Sequence, residues 1–360
     1  MPPLLFSALP DLARSAPWLS LAETPTAVEP CTALYSWLGR GNIFMKRDDQ
    51  ISSLYGGNKV RRYEYLLADA RAKGAKHLVT AGGIASTQMM ATAIFGKALG
   101  FEVHGVLYGQ PVTNFARESI LGFVEAGADL TWGGNYVLAA FRTLALLRRY
   151  SDSYLILPGA GTALANLGYV DAMLELAQQV ERGEAKRPDV IVLPAGSSGT
   201  LAAIALGAAW LGWNTEVIGV RITTPLGCNR ITVDWAIGNT DRFIEERDAR
   251  WKPQRHRVNY SIYGGALGRG YGYPTPQAID GISRIDELVC APGEVTYTGK
   301  TVAALKTIAT SDAYRDKTIL LWNTLSSKRP IVLFSRNGAV DHRLMSDGGR
   351  VYPRPPAGMS

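Results

Sequence analysis

The stretch Tyr55-Gly56-Gly57-Asn58-Lys59-Val60-Arg61-Arg62 sets a lysine where a helical pattern begins. The partial positive charge of a helix N-terminus disfavours a protonated amine and lowers its pKa. An amine lowered in this way can condense with an aldehyde to form an imine. Taken alone, the same residues also describe an ordinary surface lysine. A second stretch, Pro194-Ala195-Gly196-Ser197-Ser198-Gly199-Thr200, follows the apolar run Val190 to Leu193 and opens an alanine-rich helix. Small residues let backbone N–H groups approach an anion, the helix start adds positive potential, and Ser197, Ser198 and Thr200 add hydroxyl donors. That combination makes a phosphate cup. It lacks the lysine of a nucleotide P-loop and the GxGxxG spacing of a dinucleotide fold. Alone, it also reads as a tight strand-to-helix turn.

Both stretches need a scaffold. Helical and strand patterns alternate along most of the chain. Helices are expected over Arg62 to Ala72, Ser86 to Leu99, Asn114 to Glu125 and Val170 to Val180. Strands are expected over His77 to Thr80, Glu102 to Leu107, Ser153 to Leu157 and Val190 to Leu193. Near-continuously apolar strands alternating with helices predict an α/β fold, with parallel sheets covered by helices. Ligands bind beyond the carboxyl ends of such strands. Three loops fall there: Ala81 to Gln88, Pro158 to Thr162 and Pro194 to Thr200.

Composition narrows the class. The chain has 360 residues, 47% apolar and 19% charged, enough for a large core and about two domains. The formal charge is +7, but the basic residues are scattered. The densest group, Arg250, Lys252, Arg255, His256 and Arg257, reads as solvated surface, so no nucleic-acid partner is expected. The highly charged stretch Asp241 to Arg257 is expected to be an exposed helix and loop. The three cysteines have no CxxC spacing, and the four histidines form no sequence cluster. A disulfide framework and a structural zinc site are therefore not expected. Met1 to Leu19 lacks a signal-peptide pattern, and no run of 18 apolar residues exists. The expectation is a cytoplasmic protein without a membrane span, with Ser346 to Ser360 as an extended tail.

Lys46-Arg47-Asp48-Asp49 followed by Gly56-Gly57-Asn58-Lys59 resembles fold-type II pyridoxal 5'-phosphate (PLP) enzymes, which are tryptophan synthase β-like. Within them the chain is most similar to the D-cysteine desulfhydrase and 1-aminocyclopropane-1-carboxylate (ACC) deaminase family, over roughly residues 20 to 330. Further matches are Gly168-Tyr169-Val170, Gly270-Tyr271-Gly272, Tyr297-Thr298-Gly299-Lys300 and Asn323-Thr324. The resemblance implies a large PLP-binding domain from residues 1–62 and 185–345, a small α/β domain from 63–184, and a homodimer. It makes Lys59 the Schiff-base lysine and the base at the α-carbon, and puts Asn58 beside the cofactor. It assigns the phosphate to Gly196, Ser197, Ser198, Gly199 and Thr200. Thr324 would face the pyridine nitrogen, with Thr298 beside it, and Tyr271 and Tyr297 would flank the substrate. Ser86 carries over as a catalytic residue, and Ser86, Thr87, Gln88 and Thr298 as substrate contacts.

The chain departs from that pattern in places. ACC deaminases carry Glu and Leu where this chain has Thr298 and Thr324, which favours the desulfhydrase branch. The family's Ser-Asn-His or Ser-Asn-Gln loop reads Ser86-Thr87-Gln88, the Gln before it is Ala85, and a later Gly-Gly is Leu325-Ser326. The expected function is therefore a PLP-dependent lyase or deaminase on a small amino acid. The alternatives are elimination or replacement on a bulkier amino acid, or a non-catalytic descendant of the fold. No metal is expected. A nicotinamide dehydrogenase would need the missing glycine fingerprint.

Overall fold

The computed structural model describes residues 2–289 and 293–328; Cys290 and the 346–360 tail lie outside the described residues. Ten strands are present among them: β1 Val28–Pro30, β2 Ile43–Lys46, β3 His77–Gly83, β4 Glu102–Tyr108, β5 Asp129–Gly134, β6 Ser153–Ile156, β7 Val190–Ala195, β8 Glu216–Arg221, β9 Tyr260–Tyr263 and β10 Ile319–Trp322. They form a six-stranded sheet in the order β1-β2-β10-β7-β8-β9 and a four-stranded sheet in the order β5-β4-β3-β6. Every pairing is parallel except that of β1 with β2. The chain up to Ala72, together with Gly159–Lys328, forms one compact unit, and Lys73–Pro158 a second.

In the first unit the sheet is buried on both faces, and the period of two along each strand distributes its residues between two cores. Ile191 and Leu193 of β7, with Leu320 and Trp322 of β10, join the core that holds Leu201, Leu206, Met173 and Leu176. Val190 and Val192, with Ile319 and Leu321, join the opposite core of Leu34, Ile285, Val302 and Leu305. The helix Gly199–Trp210 is alanine-rich because it packs closely on the helix Ala163–Glu181. A Cβ on Gly207 would stand 2.8 Å from the Met173 Cβ.

The unit boundaries differ from the 63–184 expected for the small domain. Two helices account for the difference. Lys59–Ala72 and Ala163–Glu181 pack against each other and contribute to the core of the first unit. The Asp241–Arg257 stretch is also not simply exposed. Asp241 is fully buried, and its carboxylate accepts from Trp251 Nε1 (2.8 Å), the Gln254 N–H (3.0 Å) and Arg255 (3.2 Å). A run rich in charge misleads here because one buried carboxylate organises the turn that follows it. His77 and His104, isolated in sequence, lie side by side in the second unit, with ring nitrogens 3.1 Å apart.

Candidate active site

Close backbone packing fixes the position of Lys59. A Cβ on Gly56 would stand 1.9 Å from the Asp49 carbonyl oxygen. Gly57 has φ +90°, and a Cβ there would stand 2.6 Å from the Thr324 carbonyl oxygen. Both positions therefore require glycine. The N–H of Gly57 donates to Asp48 O (2.7 Å), that of Asn58 to Thr324 O (3.0 Å), and that of Gly56 to Ser326 Oγ (2.9 Å). Three separate motifs, at 46–49, 56–59 and 323–326, are thus locked together immediately before the helix Lys59–Ala72.

Lys59 is the first residue of that helix and is buried. Its Nζ donates to Asn58 Oδ1 at 2.9 Å. Burial, and then the neighbouring Arg62 charge, lower its amine to about 7. A deprotonated, nucleophilic amine is therefore available near neutral pH.

The Lys46-Arg47-Asp48-Asp49 motif works beneath the site. Asp48 is fully buried and accepts from Arg61 (2.9 and 3.0 Å), Thr26 Oγ1 (2.9 Å), Tyr169 (2.8 Å) and Trp322 Nε1 (2.8 Å). Arg61 also reaches Glu175 at 2.8 Å, and Glu175 pairs with Lys46 at 2.5 Å. The two cations and two carboxylates balance. The paired cations hold Glu175 down at about 2 despite its burial. The network ties β2, the Lys59 helix, the helix Ala163–Glu181 and β10 together, and positions Lys59 through Arg61.

The 196–200 loop meets the Lys59 helix through Thr200. Thr200 Oγ1 accepts from Arg62 Nη2 (3.1 Å) and Asn58 Nδ2 (3.3 Å). Its own hydroxyl hydrogen remains to be donated. Arg62 continues to the Ala160 carbonyl at 2.8 Å. A Cβ on Gly199 would stand 2.7 Å from Arg62 Nη2 and 2.8 Å from Asn166 Oδ1, so glycine there admits the guanidinium. No side chain caps the helix that Gly199 opens. Ser198 has φ 63°, and its hydroxyl bonds Thr232 Oγ1 at 2.8 Å. Thr232 Oγ1 also lies 3.0 Å from Asn229 O, so the Ser198 hydroxyl has a partner inside the fold. Of the three hydroxyls expected to serve an anion, that of Ser198 thus already has a partner within the fold. Ser197 is exposed, with Oγ 3.4 Å from Gly159 O. Gly196 is half-buried.

These donors fit a pyridoxal phosphate. An uncapped helix start, a hydroxyl proton held ready on Thr200 and the Arg62 charge suit a phosphate dianion. A buried amine at about 7 suits an aldehyde.

Tyr271 and Tyr297 meet, with hydroxyl oxygens 2.6 Å apart and rings nearly perpendicular at 83°. Lys300 is buried and donates to the carbonyls of Leu267 (2.8 Å) and Gly270 (2.7 Å), which pins the turn carrying Tyr271. Glu294, which the sequence reading missed, lies beside Tyr297. Its carboxylate accepts from the N–H groups of Thr296 (2.7 Å), Tyr297 and Thr298 (3.2 Å), and burial raises its pKa. Thr298 Oγ1 accepts from the Glu294 N–H (2.9 Å) and faces the Glu294 carbonyl at 3.2 Å. Thr298 thus closes the turn that starts the helix Thr298–Ala309, and is not free in the way expected of a substrate contact. The available signal was the acidic residue four positions ahead of a helix start. Thr324 is buried.

In the second unit, Ser86 caps the helix Thr87–Ala98, its Oγ accepting from the Met89 N–H at 3.3 Å. Thr87 and Gln88 are buried. Gln88 Nε2 donates to Thr80 Oγ1 at 2.7 Å, so this side chain is turned onto β3. The Ala85 N–H donates to Gln110 Oε1 at 3.2 Å, a partner that sequence reading did not find.

An α/β scaffold with a low-pKa lysine beside a phosphate cup defines a class of enzyme that holds its cofactor covalently. Residues 19–324 match the model of the family described as pyridoxal-phosphate dependent enzyme. The chain belongs to that family, and its cofactor is pyridoxal phosphate. It is 29% identical over 300 residues to a D-cysteine desulfhydrase of Salmonella paratyphi B, covering 80% of this chain and 87% of that protein. It superposes on a crystal structure of an ACC deaminase homologue with a TM-score of 0.76 and 25% identity, covering 92% and 97% of the two chains. It shares its fold with a fungal L-serine ammonia-lyase from Rhizomucor miehei, with a TM-score of 0.60, 16% identity and coverage of 86% and 96%. These matches bear out the fold-type II expectation.

Proposed function

We propose that the chain is a PLP-dependent lyase or deaminase acting on a small amino acid, close in chemistry to D-cysteine desulfhydrase. The single observation that carries this is the Lys59 amine, buried, lowered to about 7 and bonded to Asn58, which is itself bonded to Thr200. The desulfhydrase and ACC deaminase likenesses support the reaction class.

When bound, the cofactor supplies an aldehyde for the lysine and a ring that accepts electrons from the substrate's α-carbon. In this reading Lys59 Nζ would hold the cofactor and would also move the proton at the substrate's α-carbon. Asn58 Oδ1 orients that amine. Gly196, Ser197, Gly199 and Thr200 hold the phosphate, with Thr200 donating its free hydroxyl proton and Arg62 adding charge from below. Ser198 contributes backbone alone, and its positive φ shapes the loop. Thr324 would offer the ring nitrogen a neutral hydroxyl, which would leave that nitrogen less protonated than a carboxylate would and would suit elimination. Tyr271 and Tyr297 flank the substrate and share one hydroxyl proton between them. Ser86 and Thr87 are read as contacts of the substrate carboxylate on the family resemblance, as is the homodimer.

The test is keto-acid release from a panel of D- and L-amino acids by the cofactor-loaded enzyme, with Lys59→Ala as control. Release by the parent and none by the variant is expected. Equal release by both would overturn the assignment of Lys59.

A further inference from the structure

The pairing register of the second sheet gathers a set of side chains at its N-terminal edge that the chemistry above does not use. His77 opens β3 opposite Glu102, which opens β4, and His104 lies opposite Asp129, which opens β5. Glu102 and His104 are two apart, so they share a face of the sheet. Asp152 immediately precedes β6. The Ser86 loop follows β3 at the opposite edge of the same sheet.

Carboxylates stand at the outer nitrogens of the two histidines. His104 Nδ1 lies 3.3 Å from Asp129 Oδ2, and His77 Nε2 lies 3.5 Å from Asp152 Oδ1. An ionised carboxylate only accepts, so the bond to Asp129 puts the His104 ring N–H on Nδ1, whereas His77 has a carboxylate near each of its two nitrogens. His104 Nε2 is then left as an acceptor, 3.1 Å from His77 Nδ1. Glu102 Oε2 stands 3.3 Å from His77 Nδ1. One ligand atom from each of His77, Glu102 and His104 lies within 4.8 Å of the other two, around a common point. The nearby Lys76 is turned to Asp152 Oδ2 at 3.3 Å, away from that point. The Tyr150 ring stacks on both imidazoles, with centroids 4.3 Å from each, and holds them in place.

We propose that His77, His104 and Glu102 bind a divalent transition-metal ion of the zinc class, with Asp129 and Asp152 orienting the two histidines. Ligand atoms around a tetrahedral zinc with bonds of about 2.0–2.1 Å are separated by about 3.3 Å. The 3.1 and 3.3 Å spacings match two edges of that tetrahedron. Two imidazoles with a carboxylate select zinc, nickel, cobalt or copper over magnesium or calcium. Carboxylates on the far ring nitrogens are the usual outer support of such ligands. Three protein ligands leave a fourth position for water. The ion joins β3 to β4 at the edge remote from the Ser86 loop, so its role is to brace this sheet.

The test uses the cofactor-loaded protein with zinc or cobalt as probe. After stripping, reloading and desalting, about one metal per chain is expected, with a dissociation constant of about 1 μM or lower. Cobalt should give the visible absorption of a four-coordinate site, and zinc should raise the melting temperature. His104→Gln should abolish retention. Glu102→Gln changes a side chain that is 72% exposed, so it should fold normally and bind at least about 10-fold more weakly. Binding of less than a tenth of an equivalent, or equal binding by the parent and both variants, would overturn the proposal. In the first case the pair would be assigned to a shared proton. Metal content is read independently of amino-acid turnover, so failure here leaves the proposed reaction untouched.

Discussion

Arg62 Nη2 donates to Thr200 Oγ1 at 3.1 Å, which joins the first turn of the Lys59 helix to the loop that opens the helix Gly199–Trp210. Because Asn58 donates to the same oxygen, the Thr200 hydroxyl proton has one direction left to point. Thr200→Val removes an acceptor for two donors and a donor for the phosphate. Hydrogen bonds to charged groups contribute about 1.5–3 kcal/mol, so PLP affinity should fall roughly 10- to 100-fold. Equilibrium titration of the cofactor-free variant followed by cofactor absorbance checks this. An unchanged dissociation constant would reduce the loop to a turn.

The Lys59 amine gives a pH prediction. Its folded value is lowered from 10.5 to about 7 by burial and by Arg62. In the cofactor-free protein the neutral, reactive amine should therefore prevail above about pH 7. The rate of cofactor uptake should rise with pH and level off there, far below the range of an ordinary lysine. The linked stability has a definite sign. The folded value is depressed, so the contribution is fully present above 10.5 and is lost as pH falls through about 7. Borohydride reduction and peptide mapping should place the cofactor on Lys59, and label on another lysine would reject the assignment.

The Asp48 network predicts a stability defect that is separable from chemistry. Asp48→Ala leaves Arg61 and Lys46 buried with one carboxylate between them. Removing one partner of a buried ion pair costs about 3–5 kcal/mol, to be read by denaturant unfolding. Acid should act on the same network. Glu175 is lowered from 4.5 to about 2, so its contribution holds above 4.5 and disappears as pH falls through about 2.

What was legible in the sequence followed periodicity. β7 and the helix Asn114–Glu125 could be read because several residues repeat one pattern. β2 and β10 were not among the strands expected, although the motifs that follow them lock Lys59 in place. The lysine and the phosphate loop were legible because their chemistry is local. The Asp48 cluster was not, since Trp322 reaches it from 274 residues away. Nor was the meeting of His77 and His104, which strand register alone brings about. Ser198, Gln88 and Thr298 have partners within the fold that the sequence did not announce, for a shared reason. A hydroxyl or amide suited to a ligand is equally suited to a backbone or side-chain partner that no local pattern announces.

Substrate choice gives the last prediction. Thr298 and Thr324 pointed to the desulfhydrase branch, but the Thr298 hydroxyl is taken up by the turn at Glu294. The Glu294 carboxylate arrives beside Tyr297 from the preceding turn and is held by three backbone N–H groups, so it is committed to starting a helix. A carboxylate bound in that way is a poor proton shuttle for opening a ring, and negligible ACC deamination is expected. The second unit carries the other half of the case. Thr87 replaces an amide with a shorter side chain that has one donor fewer, and Gln110 occupies the Ala85 N–H. A loop with fewer free donors holds a small substrate less firmly and leaves room for a larger one. Weak or absent D-cysteine desulfhydration is therefore expected, with a preferred substrate bulkier than either reference compound. Steady-state kinetics over D- and L-amino acids decide the matter. ACC as best substrate would refute the reading of Glu294 and Thr298. D-cysteine turnover at the rate of typical desulfhydrases would make the changes at Ala85 and Thr87 functionally neutral, and Thr87→Asn would then leave kcat/KM unchanged.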